Sequence, residues 1–217
     1  MPEVVVFLGP SLSQVKAEEA FSLQADWRPP ARRGDIYRAA REGAKIILLI
    51  DGVFFQASSV AHKEVIYALE AGARVLGASS MGALRASELD VYGMEGVGLI
   101  YQAYKSGRLV SDDEVALTFD PFTYEPRSEP LVNIRFNLEE AWQRGVISKE
   151  SRDRLFHCAQ ALYFPERSYE RMMEGAAGLV AEEEVERFRE FLAHSQRDFK
   201  MEDALEALKR AKEIAEE

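Results

Sequence analysis

Apolar residues fall into two rhythms along this chain. In the first half, short unbroken runs bounded by glycine and rich in branched residues, VVVFLG (4–9), KIILLIDG (45–52) and RVLGAS (74–79), predict buried strands. Between and after them, SQVKAEEAFS, SSVAHKEVIYALEAG and MGALRASELDVYG carry apolar residues at helical spacing, and Gly43, Gly72, Gly93, Gly107 and Gly145 stand where helices would stop. Strands alternating with helices of this length predict an α/β fold, flavodoxin- or Rossmann-like, with a parallel sheet covered on both faces. LQADW (23–27) predicts a short edge strand before the ladder-breaking prolines of RPPARRGD, and EVALTF (114–119) a last strand.

Beyond DPFTYEPRSEP, with its three prolines, the rhythm is helical only: roughly 130–144, 148–163, 168–176 and 181–213 with a break. Ser148 and Ser168 are expected as N-caps and Pro130 at a first helical position. The pattern divides the chain into an α/β core, residues 1–120, and a C-terminal helical appendage, residues 121–217.

Composition narrows the partners. With 217 residues, 47% of them apolar, the chain can bury one core or one core and a smaller unit. No apolar run approaches the roughly 20 residues of a membrane span. The start, MPEVVVFLGP, has no basic flank or cleavage site, so a cytoplasmic chain with no membrane partner is expected. A formal charge of −10 without a basic stripe predicts no nucleic-acid partner. The acidity of AEEEVERFREFLAH and EDALEALKRAKEIAEE reads as solvated helix faces. The single cysteine, Cys158, cannot close an internal disulfide and, near Leu155 and Leu162 on one helical face, is expected as a buried thiol.

Right-handed strand-helix-strand units start every helix at the carboxyl edge of the sheet. Gly9, Pro10 and Ser11, then Asp51 and Gly52, the start of SSVAHKE (58–64), and ASSMG (78–82) should therefore line one crevice. Ala78-Ser79-Ser80-Met81-Gly82 fits a small-x-Ser-x-Gly elbow, in which Ser80 is either a nucleophile or the cap of a tight turn. Helix-start amides near Ser80 and Gly82 would bind a developing oxyanion. His62 shares a stripe with Val65, Ile66 and Leu69, which aims it at the sheet as a base or as a structural histidine. Asp51 either orients His62 or closes a turn, and Lys63 and Arg85 either receive a carboxylate or pair with Glu64 and Glu88. His157 and His194 have no visible companions, and Ser11 with Gln14 spells a capping box. The acidic DDE (112–114) with Asp51 lacks a histidine or cysteine at ligand spacing, so no metal is expected. Gly93, Gly96 and Gly98 run in the wrong order for a dinucleotide fingerprint, no Walker lysine follows, and no cofactor is called for.

GPS after the first strand, PPARRGD, LIDGVF, HKEVIYALEAG, GASSMGALRASEL, YGMEGVG, DDEVAL and EPLVNIRF follow one another in an order that resembles the TfuA-like proteins over most of the chain, leaving out the last 50 or so residues. That resemblance implies a partner of a YcaO enzyme, which uses ATP to install sulfur in a peptide backbone. It also implies a second partner, a ThiS-like, ubiquitin-like sulfur carrier whose glycyl thiocarboxylate is hydrolysed to release sulfide. Combined with the rim residues, the expected mechanism has Ser80 attack the thiocarboxylate carbonyl, His62 as base and Asp51 as orienting group, with Lys63 or Arg85 neutralising the incoming anion. Gly9, Pro10, Ser11, Gly52, Ser79 and Gly82 would leave space for the extended tail. Water attack with His62 as base is the variant without an acyl-enzyme. The alternative function is a non-catalytic activator or scaffold of the YcaO enzyme, and fold analogy alone adds small-ligand binding at the crevice.

Overall fold

The computed structural model describes residues 3–54 and 58–217; Met1 and Pro2, part of the stretch read for a leader, lie outside the described residues. Five strands, β1 (Val4–Phe7), β2 (Asp26–Arg28), β3 (Ile46–Leu49), β4 (Arg74–Ala78) and β5 (Glu95–Val97), form one sheet in the order β2-β1-β3-β4-β5. All pairings are parallel, with Val6 opposite Leu48 and Leu48 opposite Leu76 across the centre. This is the doubly wound, flavodoxin-like order, with its switch point between β1 and β3.

Every residue of β1 and β3 is buried, which is why these strands read as unbroken apolar runs rather than alternating ones. Their side chains still alternate between two cores. Val4, Val6, Ile46, Leu48 and Leu76 face one side, and Val5, Phe7, Ile47, Leu49 and Val75 face the other. Helices α2 (Asp35–Arg41), α3 (His62–Glu70) and α4 (Met81–Leu89) cover the second side through Ile36, Val65, Ala68 and Ala86. Burying a residue such as Leu48 or Leu49 completely contributes about 2–3 kcal/mol.

Helix α1 (Gln14–Ala20) covers the first side together with the C-terminal helix α10 (Phe199–Glu216), through Ala17 and through Ala204, Ala207, Leu208 and Ala211. Lys200–Glu217 thus joins the compact unit formed by Met1–Asp112 and Thr123–Glu125. Small residues along α10 let it lie close to the strands, a use that its repeated alanines did not announce in a strongly charged stretch. The second unit, Asp113–Phe122 with Pro126–Phe199, packs α6 (Leu131–Gln143), α7 (Lys149–Ala161), α8 (Tyr169–Gly175) and α9 (Glu182–Ser195) around Leu138, Leu155, Met172 and Phe188. Within it, buried Arg167 donates to Asp113 Oδ2 at 2.8 Å and to the carbonyls of Leu162 and Ala159. Ser148 and Ser168 cap α7 and α8 as expected, while Pro130 sits one position earlier than expected, as the N-cap of α6. Burial pushes the Cys158 thiol up, away from the reactive thiolate.

One expected strand is replaced. EVALTF forms no strand of the sheet: residues 112–114 make a short 3-10 turn and Phe119 makes a single bridge to Pro126. The fifth strand is instead Glu95–Val97, hidden in sequence because three residues flanked by glycines offer no apolar run. Its neighbour α5 (Gly98–Lys105) brings the Tyr101 ring against Gly96, where a Cβ would come within 2.2 Å of it. Gly43, Gly72, Gly93, Gly107 and Gly145 all adopt positive φ, as helix-ending glycines do.

Candidate active site at the sheet rim

The loops after β1, β3 and β4 occupy neighbouring positions along the carboxyl rim of the sheet. At the switch point Asp51 is 1% exposed and fully engaged. Its Oδ2 accepts from the amides of Gly9, 2.9 Å, and Ser11, 3.1 Å, and its Oδ1 accepts the Ser11 hydroxyl at 2.7 Å. Doubly wound folds commonly present such amides to a phosphate group; here a carboxylate of the chain takes them. Ser11 is therefore not part of a capping box. Ser13 caps α1, accepting from Lys16 N, and Gln14 turns to Glu18.

The turn from β4 into α4 is built differently. Ser79 has φ 66°, left-handed for a residue with a side chain, and the Ser80 amide donates back to the Ala78 carbonyl at 2.7 Å, closing a three-residue turn. Such a conformation costs about 1–3 kcal/mol. Ser80 stands at the N-cap of α4 without a side-chain capping bond and is 2% exposed. The Ser79 hydroxyl is buried and has no hydrogen-bond partner among the described residues. Glycines here serve close packing: a Cβ on Gly82 would lie 1.8 Å from the Leu49 carbonyl oxygen, and one on Gly77 would meet the Gly82 carbonyl. Gly82 donates its amide to the Ile50 carbonyl at 3.2 Å, so that amide is committed rather than open to an oxyanion.

His62 does not face the sheet. It is the first residue of α3, its side chain is 51% exposed, and the helix buries Glu64, Val65 and Ala68 instead. At a first-turn position the imidazole reaches sideways to α4, where its Nε2 meets Glu88 Oε2 at 2.8 Å. Arg85 shares that carboxylate oxygen through Nη1 at 2.7 Å and donates Nε to the Val60 carbonyl at 2.9 Å. The expected pair of His62 and Asp51 is thus not formed, because Asp51 is held by the β1 loop and Glu88 takes the imidazole. Lys63 is exposed. Glu64, the partner expected for a neighbouring cation, accepts the Ala61 and Gly34 amides and ties α3 to the start of α2.

Beside this cluster lies a groove of about 500 Å³ lined by apolar Phe54, Met81, Leu84 and Val110, with Arg85, Glu88, Asp112 and two serines, Ser59 and Ser111, making its polar side. Gly52 adjoins it through Met81, whose Cγ would sit 2.8 Å from a Cβ there. Pro10 is half-buried next to the Gly9 amide. The geometry joins Gly9, Ser11 and Asp51 in one lock and His62, Glu88 and Arg85 in another. Glu88 was expected only as a surface partner of Arg85, a pair that does form, whereas its contact with His62 depends on how two helices pack.

Residues 51–168 match the model of the family described as TfuA-like protein. The chain belongs to the TfuA-like protein family. The match covers the rim residues from Asp51 through Arg85 and Glu88 and runs on into α8's cap, Ser168, so this TfuA-like chain carries both the groove and much of its helical unit within the family's own span. A search of curated proteins gave no match. No helix among the described residues is long and apolar enough to cross a membrane.

Also in the α/β unit of this TfuA-like chain, Asp203 of α10 is 2% exposed and accepts the amides of Leu99, 2.9 Å, and Ile100, 2.8 Å, at the start of α5. Burial raises its carboxyl to about 7 against the pull of those two hydrogen bonds. Gly98, at φ 93°, is the only residue type that fits beneath it, since a Cβ would lie 2.2 Å from the Asp203 carboxyl carbon.

Proposed function

We propose that this TfuA-like chain is the partner of a YcaO enzyme in peptide backbone thioamidation and hydrolyses the thiocarboxylated tail of a ubiquitin-like sulfur carrier to release sulfide. The observation that carries the hydrolytic reading is the half-exposed imidazole of His62 with Nε2 held by Glu88, beside a groove whose polar wall includes Arg85. A carboxylate on one ring nitrogen fixes the ring and stabilises the imidazolium, so the other nitrogen is able to take a proton during attack on the carbonyl. Arg85 meets the negative charge of the thiocarboxylate and Lys63 draws the anion in. The groove accommodates an extended tail, and the nucleophile comes from the β4–α4 turn that carries Ser79 and Ser80. Asp51 keeps the β1 loop in shape by holding Gly9 and Ser11, and Glu88 takes the orienting role.

Mixing the chain with thiocarboxylated carrier and following sulfide tests this directly. His62→Ala is expected to lower the rate by about a hundredfold or more, and Glu88→Gln by about tenfold. Unchanged rates in both would remove the hydrolytic reading.

A second reading, activation of the YcaO enzyme without bond cleavage, is favoured by the enclosure of Ser80 and by the engagement of Asp51 away from His62. Thioamidation supplied with free sulfide separates the two. A continued requirement for this chain supports activation, and full activity without it leaves sulfide release as the role.

A further inference from the structure

Two irregularities meet at Ser79. It holds φ 66° at the strand-to-helix turn, and its buried hydroxyl has no partner among the described residues. Glycine would relieve both, since it takes the left-handed backbone without strain and has no hydroxyl to leave unpaired. A serine standing where glycine is the easier residue points to a hydroxyl reserved for an incoming group. Its position agrees, because a sharp, strained turn between strand end and helix start is where acyl-transferring hydrolases of other folds mount their nucleophile. Gly77, two residues earlier and packed on Gly82, gives the turn the small neighbour that such a bend needs.

We propose that Ser79, rather than Ser80, is the nucleophile in the thiocarboxylate hydrolysis, an assignment that rests on the hydrolytic reading above. Ser79 Oγ forms a bond to the carbonyl carbon of the carrier's terminal glycine, and the carbon–sulfur bond breaks. Sulfur leaves as hydrosulfide, taking the hydroxyl proton in the overall balance. Water then cleaves the serine ester, returning the hydroxyl and a carrier carboxylate with one proton, which passes through water to the exposed imidazole of His62. Ser79 is 0% exposed, so the tail reaches it as the turn opens, a movement that the strained backbone favours.

The decisive variant is Ser79→Gly, measured for melting temperature and for sulfide release from thiocarboxylated carrier. A reserved hydroxyl predicts a higher melting temperature together with a rate lower by about a hundredfold or more. A quenched wild-type reaction is expected to contain a carrier adduct sensitive to hydroxylamine, which Ser79→Gly lacks. Ser79→Ala removes the hydroxyl while keeping the left-handed strain and should lose the rate without the gain in stability. Wild-type sulfide release in Ser79→Gly, a loss in Ser80→Ala greater than that in Ser79→Gly, or lost activity accompanied by a lower melting temperature each overturns the assignment. Absence of sulfide release from the wild type overturns the hydrolytic reading itself, and the nucleophile with it.

Discussion

The rim after β1 and β3 and the turn after β4 lie side by side on the same sheet, yet they satisfy their polar groups in opposite ways. At the first, one carboxylate answers two amides and a hydroxyl, and the result is a closed junction at the switch point. At the second, a hydroxyl is buried on a strained backbone without an answer among the described residues. Strength and readiness are thereby separated by a single strand spacing, about 5 Å. Where doubly wound folds usually receive their ligand, this chain is sealed, and the irregular geometry has moved one strand along.

The contrast is broken most forcefully at the sealed end. Asp51→Ala leaves the Gly9 and Ser11 amides and the Ser11 hydroxyl without their charged acceptor, and should cost about 3 kcal/mol or more of stability. Denaturant titration measures it, and a neutral result would show that Asp51 does not hold the junction. Gly82→Ala tests the packing beneath the other end. A methyl 1.8 Å from the Leu49 carbonyl oxygen forces α4 off the sheet, with an expected loss of about 2–3 kcal/mol. These two losses, set against the gain expected for Ser79→Gly, make the signs of three neighbouring substitutions the measure of the comparison.

A milder probe is pH. The folded-state carboxyl of Asp203, raised to about 7, binds a proton that the unfolded chain gives up near the ordinary aspartate value of 3.8. Its protonation therefore favours the folded chain fully below pH about 4, and this contribution fades as pH rises to about 7. The slope reaches about 1.4 kcal/mol per pH unit at most. Asp203→Asn should flatten that part of the stability profile. An unchanged slope would show that the carboxyl titrates near its ordinary value despite burial. Asp90, held low by Lys105, contributes the opposite trend at more acid pH.

The central strands could be read because they are buried on both faces, and Val4–Phe7 or Ile46–Leu49 has nothing polar to blur the signal. Glu95–Val97 could not, because its strand identity comes from Leu76, Gly77 and Ala78 beside it rather than from its own side chains. The site divides in the same manner. Placing Asp51 and Ser79 after strands needed only the order of elements, and the Arg85–Glu88 pair needed only a helical repeat. The grip of Glu88 on His62 required knowing how α3 lies against α4, and Ser11 went to Asp51 through a contact 40 residues distant in sequence, which outweighed its local option as a cap. Asp203 sits 104 residues from the amide it holds, with no local mark of that duty.

Because α10 supplies both the apolar stripe over β1, β3 and β4 and the carboxylate at the start of α5, the α/β unit is assembled from the two ends of the chain. During translation the strands emerge about 100 residues before the helix that completes their cover, so that flank has only α1 over it while the helical unit is made, and the helical unit can mature inside that interval.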